Sequence, residues 1–155
     1  MQAKYPRTPH FPWSLGVTND DGVLTCLDSF AGKDIVATAK MDGENTTLYN
    51  NGMYSRSLTY SAHPSRNKIK AFSAKIAQDI PEGWRICVEN LYAKHSIHYL
   101  NLPDYWLGLS VWNDHNTCLA WRDTKEWFAL LGIKHCQVLY EGVFNPDLLK
   151  SLYTP

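Results

Sequence analysis

Lys40 stands where a lysine can serve as a nucleophile. It closes the apolar run "IVATA" and lies two residues before the turn-forming pair Asp42-Gly43, within "IVATAKMDGENTTLYNNG". A lysine amine attacks phosphorus once it is held neutral, which proteins achieve by partial desolvation and by placing other cations nearby. The apolar neighbours of Lys40 favour the first of these. Gly43 has no side chain, so backbone there can approach a ligand closely. The same stretch also reads as a plain hairpin, because Asp-Gly between strand-like runs is a strong two-residue turn signal. Taken alone, the spacing Lys40-x-Asp42-Gly43 leaves both readings open.

Further along the chain, other residues have types suited to phosphate or sugar chemistry. Arg56-Ser57 follows the next strand-like run, and Glu89 ends the apolar run "RICVEN". A carboxylate beside a buried strand ordinarily has a partner or a ligand. Arg66 and Lys68, on a helical stretch, have the charge to follow an RNA backbone, although a solvated helix face explains them equally well. "KHSIH" brings Lys94, His95 and His98 together. Four donors at zinc spacing are lacking, so a loop that meets phosphate is the preferred use of Lys94 and His95 and no metal site is assigned. Trp106, Trp112, Trp121 and Trp127 are expected to be buried.

These residues need elements to hold them. "DIVATAK" and "NTTLYNNGMYSRS" are rich in β-branched and aromatic residues, which predicts a hairpin or meander over 34–56 with turns at Asp42-Gly43 and Asn51-Gly52. "HPSRNKIKAFSAKIAQDIPEG" predicts a helix with Ser65 as N-cap, Ile69, Phe72 and Ile76 on its apolar side and a stop at Pro81. "GWRICVEN", "YWLGLSVWND" and "CQVLYEG" read as strands. A helix over about 123–131 is ended by Gly132, and "NPDLLKSLY" is a short helix capped by Asn145 with Pro146 at its first position. The first thirty residues, with Pro6, Pro9 and Pro12, read as an extended arm. The irregular order of elements points to an α+β domain of mainly antiparallel sheets with flanking helices, occupying 1–155 as one unit. No G-x-x-x-x-G-K-[ST] or G-x-G-x-x-G loop occurs, so nucleotide chemistry would use another device.

Composition sets broader bounds. The chain has 155 residues, 45% of them apolar and 19% charged, which suits an ordinary globular domain. No apolar run has the length of a membrane span and the start lacks the apolar core of a signal peptide, so a cytoplasmic protein without membrane contact is expected. The four scattered cysteines, Cys26, Cys87, Cys118 and Cys136, suggest buried free thiols. Fifteen basic and fifteen acidic side chains cancel. Between Met53 and His98, however, seven Lys or Arg face three acidic residues, so a positive face is compatible with zero net charge.

The order of the motifs carries a resemblance. A K-x-D-G turn, an arginine-serine pair and a glutamate ending an apolar strand resemble the covalent nucleotidyltransferases, the DNA and RNA ligases and capping enzymes. Within them, "KYPRTPHFPWS", "KMDGENTTLY", "YSRS", "ENLYAKHSIHYL" and "SVWND" resemble one family of ATP-dependent RNA ligases over almost the whole chain. The resemblance implies an adenylation-type domain that uses ATP and Mg²⁺, with RNA ends as substrate. Lys40 would take AMP as a phosphoramidate, pass it to an RNA 5′-phosphate and let a 3′-hydroxyl displace it. Arg56 would contact the AMP phosphate or ribose, Glu89 would hold the ribose hydroxyls, and Asp42, Gly43 and Asn45 would organise the nucleotide side of the turn.

The departures have consequences too. The family has glutamate where Ala39 precedes the nucleophile, and an aromatic where Leu109 stands, which loosens the expected adenine recognition. The late lysine pair of the family has no counterpart, and Glu141-Gly142 is read as a decoy for the motif before it. The resemblance therefore also allows the N-terminal part of a split ligase, with a second polypeptide supplying strands, or a noncatalytic nucleotide- or nucleic-acid-binding module. A guanylyltransferase or DNA ligase would use the same lysine chemistry.

Overall fold

A computed structural model describes residues 2–56 and 63–152. Its strands are β1 (Asp34–Thr38), β2 (Glu44–Tyr49), β3 (Gly52–Ser55), β4 (Arg85–Asn90), β5 (Trp106–Trp112) and β6 (Val138–Val143). Its helices are α1 (Asn67–Ile76), α2 (Trp121–Leu131) and α3 (Pro146–Ser151). The fold is α+β, and all pairing between its strands is antiparallel. Among the described residues, no helix is long and apolar enough to cross a membrane.

The chain divides into two compact units. The first comprises residues 1–5 and 40–136, the second 6–39 and 137–155. In the second, β1 pairs with β6, Asp34 opposite Val143 and Val36 opposite Glu141. Glu141-Gly142 is thus part of a ladder, with Gly142 at φ +156. Residues 6–33 hold a bridge between His10 and Val23 and a single 3₁₀ turn, Asp28–Phe30. Phe11, Phe30 and Phe144 cluster with ring centroids 5.1–6.3 Å apart. Asn145 caps α3 as expected, its Oδ1 accepting from the Asp147 and Leu148 amides.

The first unit is a four-stranded sheet in the order β3-β2-β4-β5. Period-two alternation gives it two unlike faces. Leu48, Ile86, Val88 and Val111 point to one side and form the main core with Ile69 and Ile76 of α1 and Phe128 and Leu131 of α2. Gly108 is required in this core, because a Cβ there would lie 2.5 Å from the Phe128 ring. Gly132 ends α2 with a left-handed φ of +68.

The cysteines are free, but only Cys87 and Cys136 are buried; Cys26 and Cys118 are exposed, contrary to expectation. Three expectations about local structure also change. Asp42-Gly43 is not a hairpin turn: β1 and β2 belong to different sheets, because β1 finds its partner a hundred residues later in β6. The true hairpin joins β2 to β3, and with Tyr49 opposite Gly52 its loop is Asn50-Asn51. Ser65 does not cap α1. A 3₁₀ turn, Pro64–Arg66, precedes the helix, and His63 caps that turn by accepting from the Ser65 amide.

Candidate active site

The other face of the four-stranded sheet is polar. The register places Asn45 and Thr47 of β2 opposite Glu89 and Cys87 of β4, with Ser110 of β5 beside Cys87. Burial pushes the Cys87 thiol up, and Thr47 Oγ1 lies 3.8 Å from its sulfur. Residues 2–5 lie on this face. The Ala3 amide donates to the Tyr49 hydroxyl at 3.0 Å, and the Tyr5 side chain hydrogen-bonds Ser110 while burial raises its phenol.

At one end of this face is the segment from Lys40 to Gly43. Met41 packs against a small apolar cluster of Leu91, Leu107 and Cys136, joined by Tyr99, Leu102 and Leu109. Anchoring the middle residue leaves Lys40 exposed and Asp42 turned to polar partners. The Asp42 carboxylate accepts from the Ser96 amide at 2.8 Å, the Ser96 hydroxyl at 2.6 Å and the Ile97 amide at 3.0 Å. These bonds, the Ser96 hydroxyl's first, hold its carboxyl below the ordinary value. The Asp42 amide donates to the Tyr99 hydroxyl at 2.8 Å. The "KHSIH" loop is thus clasped to the lysine turn.

Glu89 fastens the turn from the sheet side. Its Oε1 accepts from the Gly43 amide at 3.0 Å. Burial pushes the Glu89 carboxyl above its ordinary value, opposed by the Gly43 amide and by the positive charges of Lys40 and His95. Lys40, Glu89, Asp42 and His95 therefore share one electrostatic neighbourhood. Burial, with the charge of Glu89 adding to it, pushes the Cys136 thiol up to about 11. Asn45 Oδ1 is buried and has no hydrogen-bond partner among the described residues, an acceptor suited to a donor from a ligand.

Packing alone already requires a glycine at position 43. A Cβ at that position would lie 2.5 Å from the Asn90 carbonyl oxygen and 2.8 Å from Leu91 Cδ2, so the glycine lets the turn press against the end of β4. The remaining predicted residues have other surroundings. Arg56 is exposed in the turn after β3, and Ser57 of the same pair lies outside the described residues. Arg66 forms a two-pronged ion pair with Glu44, its Nε donating at 2.8 Å to Oε2 and its second nitrogen to Oε1. Lys68 lies over two tyrosine rings, and Lys94 is exposed. Sequence reasoning missed Tyr5, Met41, Ser96 and Tyr99, which lie within or beside quoted motifs but show no spacing that reveals a contact with the turn.

A family model described as RNA ligase matches residues 33–154. The chain belongs to the RNA ligase family. The match takes in the lysine turn, Glu89 and the clasp loop, and it extends through β6 and α3 of the second unit. No curated protein matches the chain.

Proposed function

We propose that this RNA ligase family member transfers AMP from ATP through Lys40 and seals an RNA 5′-phosphate to a 3′-hydroxyl. The observation that supports this reading is the fixed lysine turn: Met41 is anchored in the apolar cluster, and just after it Asp42 is held by Ser96 and Ile97 and Gly43 by Glu89. A turn tied at three points holds the lysine end at low conformational cost, which suits a reaction whose catalysis is mostly positioning and charge stabilisation.

In the first step the Lys40 amine forms a bond to the α-phosphorus, the bond to pyrophosphate breaks, and the amine loses a proton. Glu89 and the buried Asn45 Oδ1 would accept hydrogen bonds from the nucleoside, and Arg56 would reach the AMP phosphate or ribose. Among the described residues, no group of three or more His, Cys, Asp and Glu is placed to hold a metal ion. The side chains do not fit a protein-built Mg²⁺ cage, and an ion accompanying ATP would be held mainly by the phosphates and water. The test is intact mass after incubation with ATP and Mg²⁺. A gain of one AMP that is absent in Lys40→Ala is expected, and an unmodified, folded wild-type protein would overturn the reading.

A further inference from the structure

A second cluster at the same end of the sheet has a different chemistry. The Lys68 ammonium of α1 lies 4.8 Å from the centroid of Tyr92 and 4.6 Å from that of Tyr105. The two rings meet edge to face, 5.2 Å apart at 74°. Both remain open, Tyr92 at 41% and Tyr105 at 45% relative exposure. Their backbones are fixed: the Leu91 amide donates to the Tyr105 carbonyl at 2.7 Å, continuing the β4–β5 pairing, and the Tyr92 amide donates to Asn90 Oδ1 at 3.3 Å. The rings thus stand on rigid backbone.

We infer that Lys68, Tyr92 and Tyr105 form a docking platform for an unpaired stretch of RNA beside the Lys40 turn, an inference that rests on the RNA ligase reading. The position follows from the register. Glu44 pairs with Asn90 at the sheet end, and the Asn90 carbonyl is the atom against which Gly43 packs. Tyr92 is two residues beyond it. RNA whose end is held at Lys40 would extend past this end of the sheet with its neighbouring nucleotides. Exposed aromatic rings stack on bases without regard to sequence, and an adjoining ammonium is placed for the phosphate between them. Paired bases present no free face, so the occupant is single-stranded. Lys68 and the exposed Lys94, two residues beyond Tyr92, give the charge complementarity.

The test is fluorescence anisotropy with a 5′-phosphorylated single-stranded oligonucleotide of uridines at low salt, run beside AMP labelling of each variant. Tyr92→Ala and Tyr105→Ala are expected to weaken binding about 5- to 150-fold each, whereas Tyr92→Phe and Tyr105→Phe, which keep the ring, bind like wild type. Lys68→Met is expected to lower the slope of log affinity against log salt by about 0.7. AMP labelling by the alanine variants at the wild-type level shows that the site is intact. Wild-type RNA affinity in both alanine variants, equal losses in the phenylalanine variants, or no RNA binding by the wild type overturns the platform. Ring-dependent RNA binding in a protein that takes no AMP would overturn the ligase reading and leave the platform standing.

Discussion

Substituting Gly43 separates two explanations for the glycine of the lysine turn. If the position serves only close approach to a nucleotide, Gly43→Ala folds as well as wild type and loses ligand affinity alone. The geometry argues otherwise. The added methyl would lie 2.5 Å from the Asn90 carbonyl oxygen, 3.1 Å from its carbon and 2.8 Å from Leu91 Cδ2. The leucine can turn aside. The carbonyl cannot, because Asn90 is a paired residue of β4. Relief must come from moving the turn, which strains the Gly43 amide bond to Glu89. Overpacking against fixed backbone costs about 1–3 kcal/mol, which for a chain of this size lowers Tm by about 2–12 °C. Thermal unfolding followed by circular dichroism reads this directly. Gly22→Ala is the size control, since its Cβ would meet Pro9 at an ordinary 3.7 Å, and a change within about 2 °C is expected there. A Gly43→Ala protein with the wild-type Tm would refute the packing argument.

Two other perturbations test the surroundings of the turn. The Glu89 carboxyl is raised by burial, so its ionisation costs more in the folded chain than in the unfolded one, and the stability it contributes in acid is lost as pH rises from about 4.5 through its folded value. Glu89→Gln keeps an acceptor for the Gly43 amide and removes that ionisation. The decline of Tm over this range should flatten and Tm at pH 7 should be no lower than wild type, while parallel pH curves for the two proteins would contradict the assignment. Arg66→Ala leaves the Glu44 carboxylate, 25% exposed, without the guanidinium that covers it. A loss of about 1.5–3 kcal/mol in urea unfolding is expected, with Arg66→Lys recovering only part because it lacks the second prong; an unchanged midpoint in Arg66→Ala would count against the pair's structural role.

Elements whose signals are local were legible in the sequence. "RICVEN" and "WLGLSVW" are strands because their residues suit a buried sheet, and Gly132 and Asn145 act within one turn of their own positions. The reading failed where a distant segment decided the outcome. Asp42-Gly43 has every local mark of a hairpin, but β1 pairs with β6 and the turn bonds instead to Glu89, Ser96 and Tyr99, 46 to 57 residues away. Ser65 is a good cap by type, and His63 takes that place because Pro64 starts a 3₁₀ turn first. In the site, Lys40 and Glu89 were recognisable by residue type and motif order. The clasp formed by Ser96 was not, because a serine in a loop carries no periodic signal.

The anchoring of Met41 gives the variable position of the lysine motif an influence of its own. Because that side chain rests on Leu91, Leu107 and Cys136, the height of Lys40 above the sheet is set by how these residues fill space. Changes in apolar volume beneath the turn, at Leu102 or Cys136 as much as at Met41, would shift the Lys40 side chain without touching any polar group. If Lys40 acts as the proposed nucleophile, its rate would be tunable through this oily interior, and a lineage could adjust the chemistry while every polar residue around the turn stays the same.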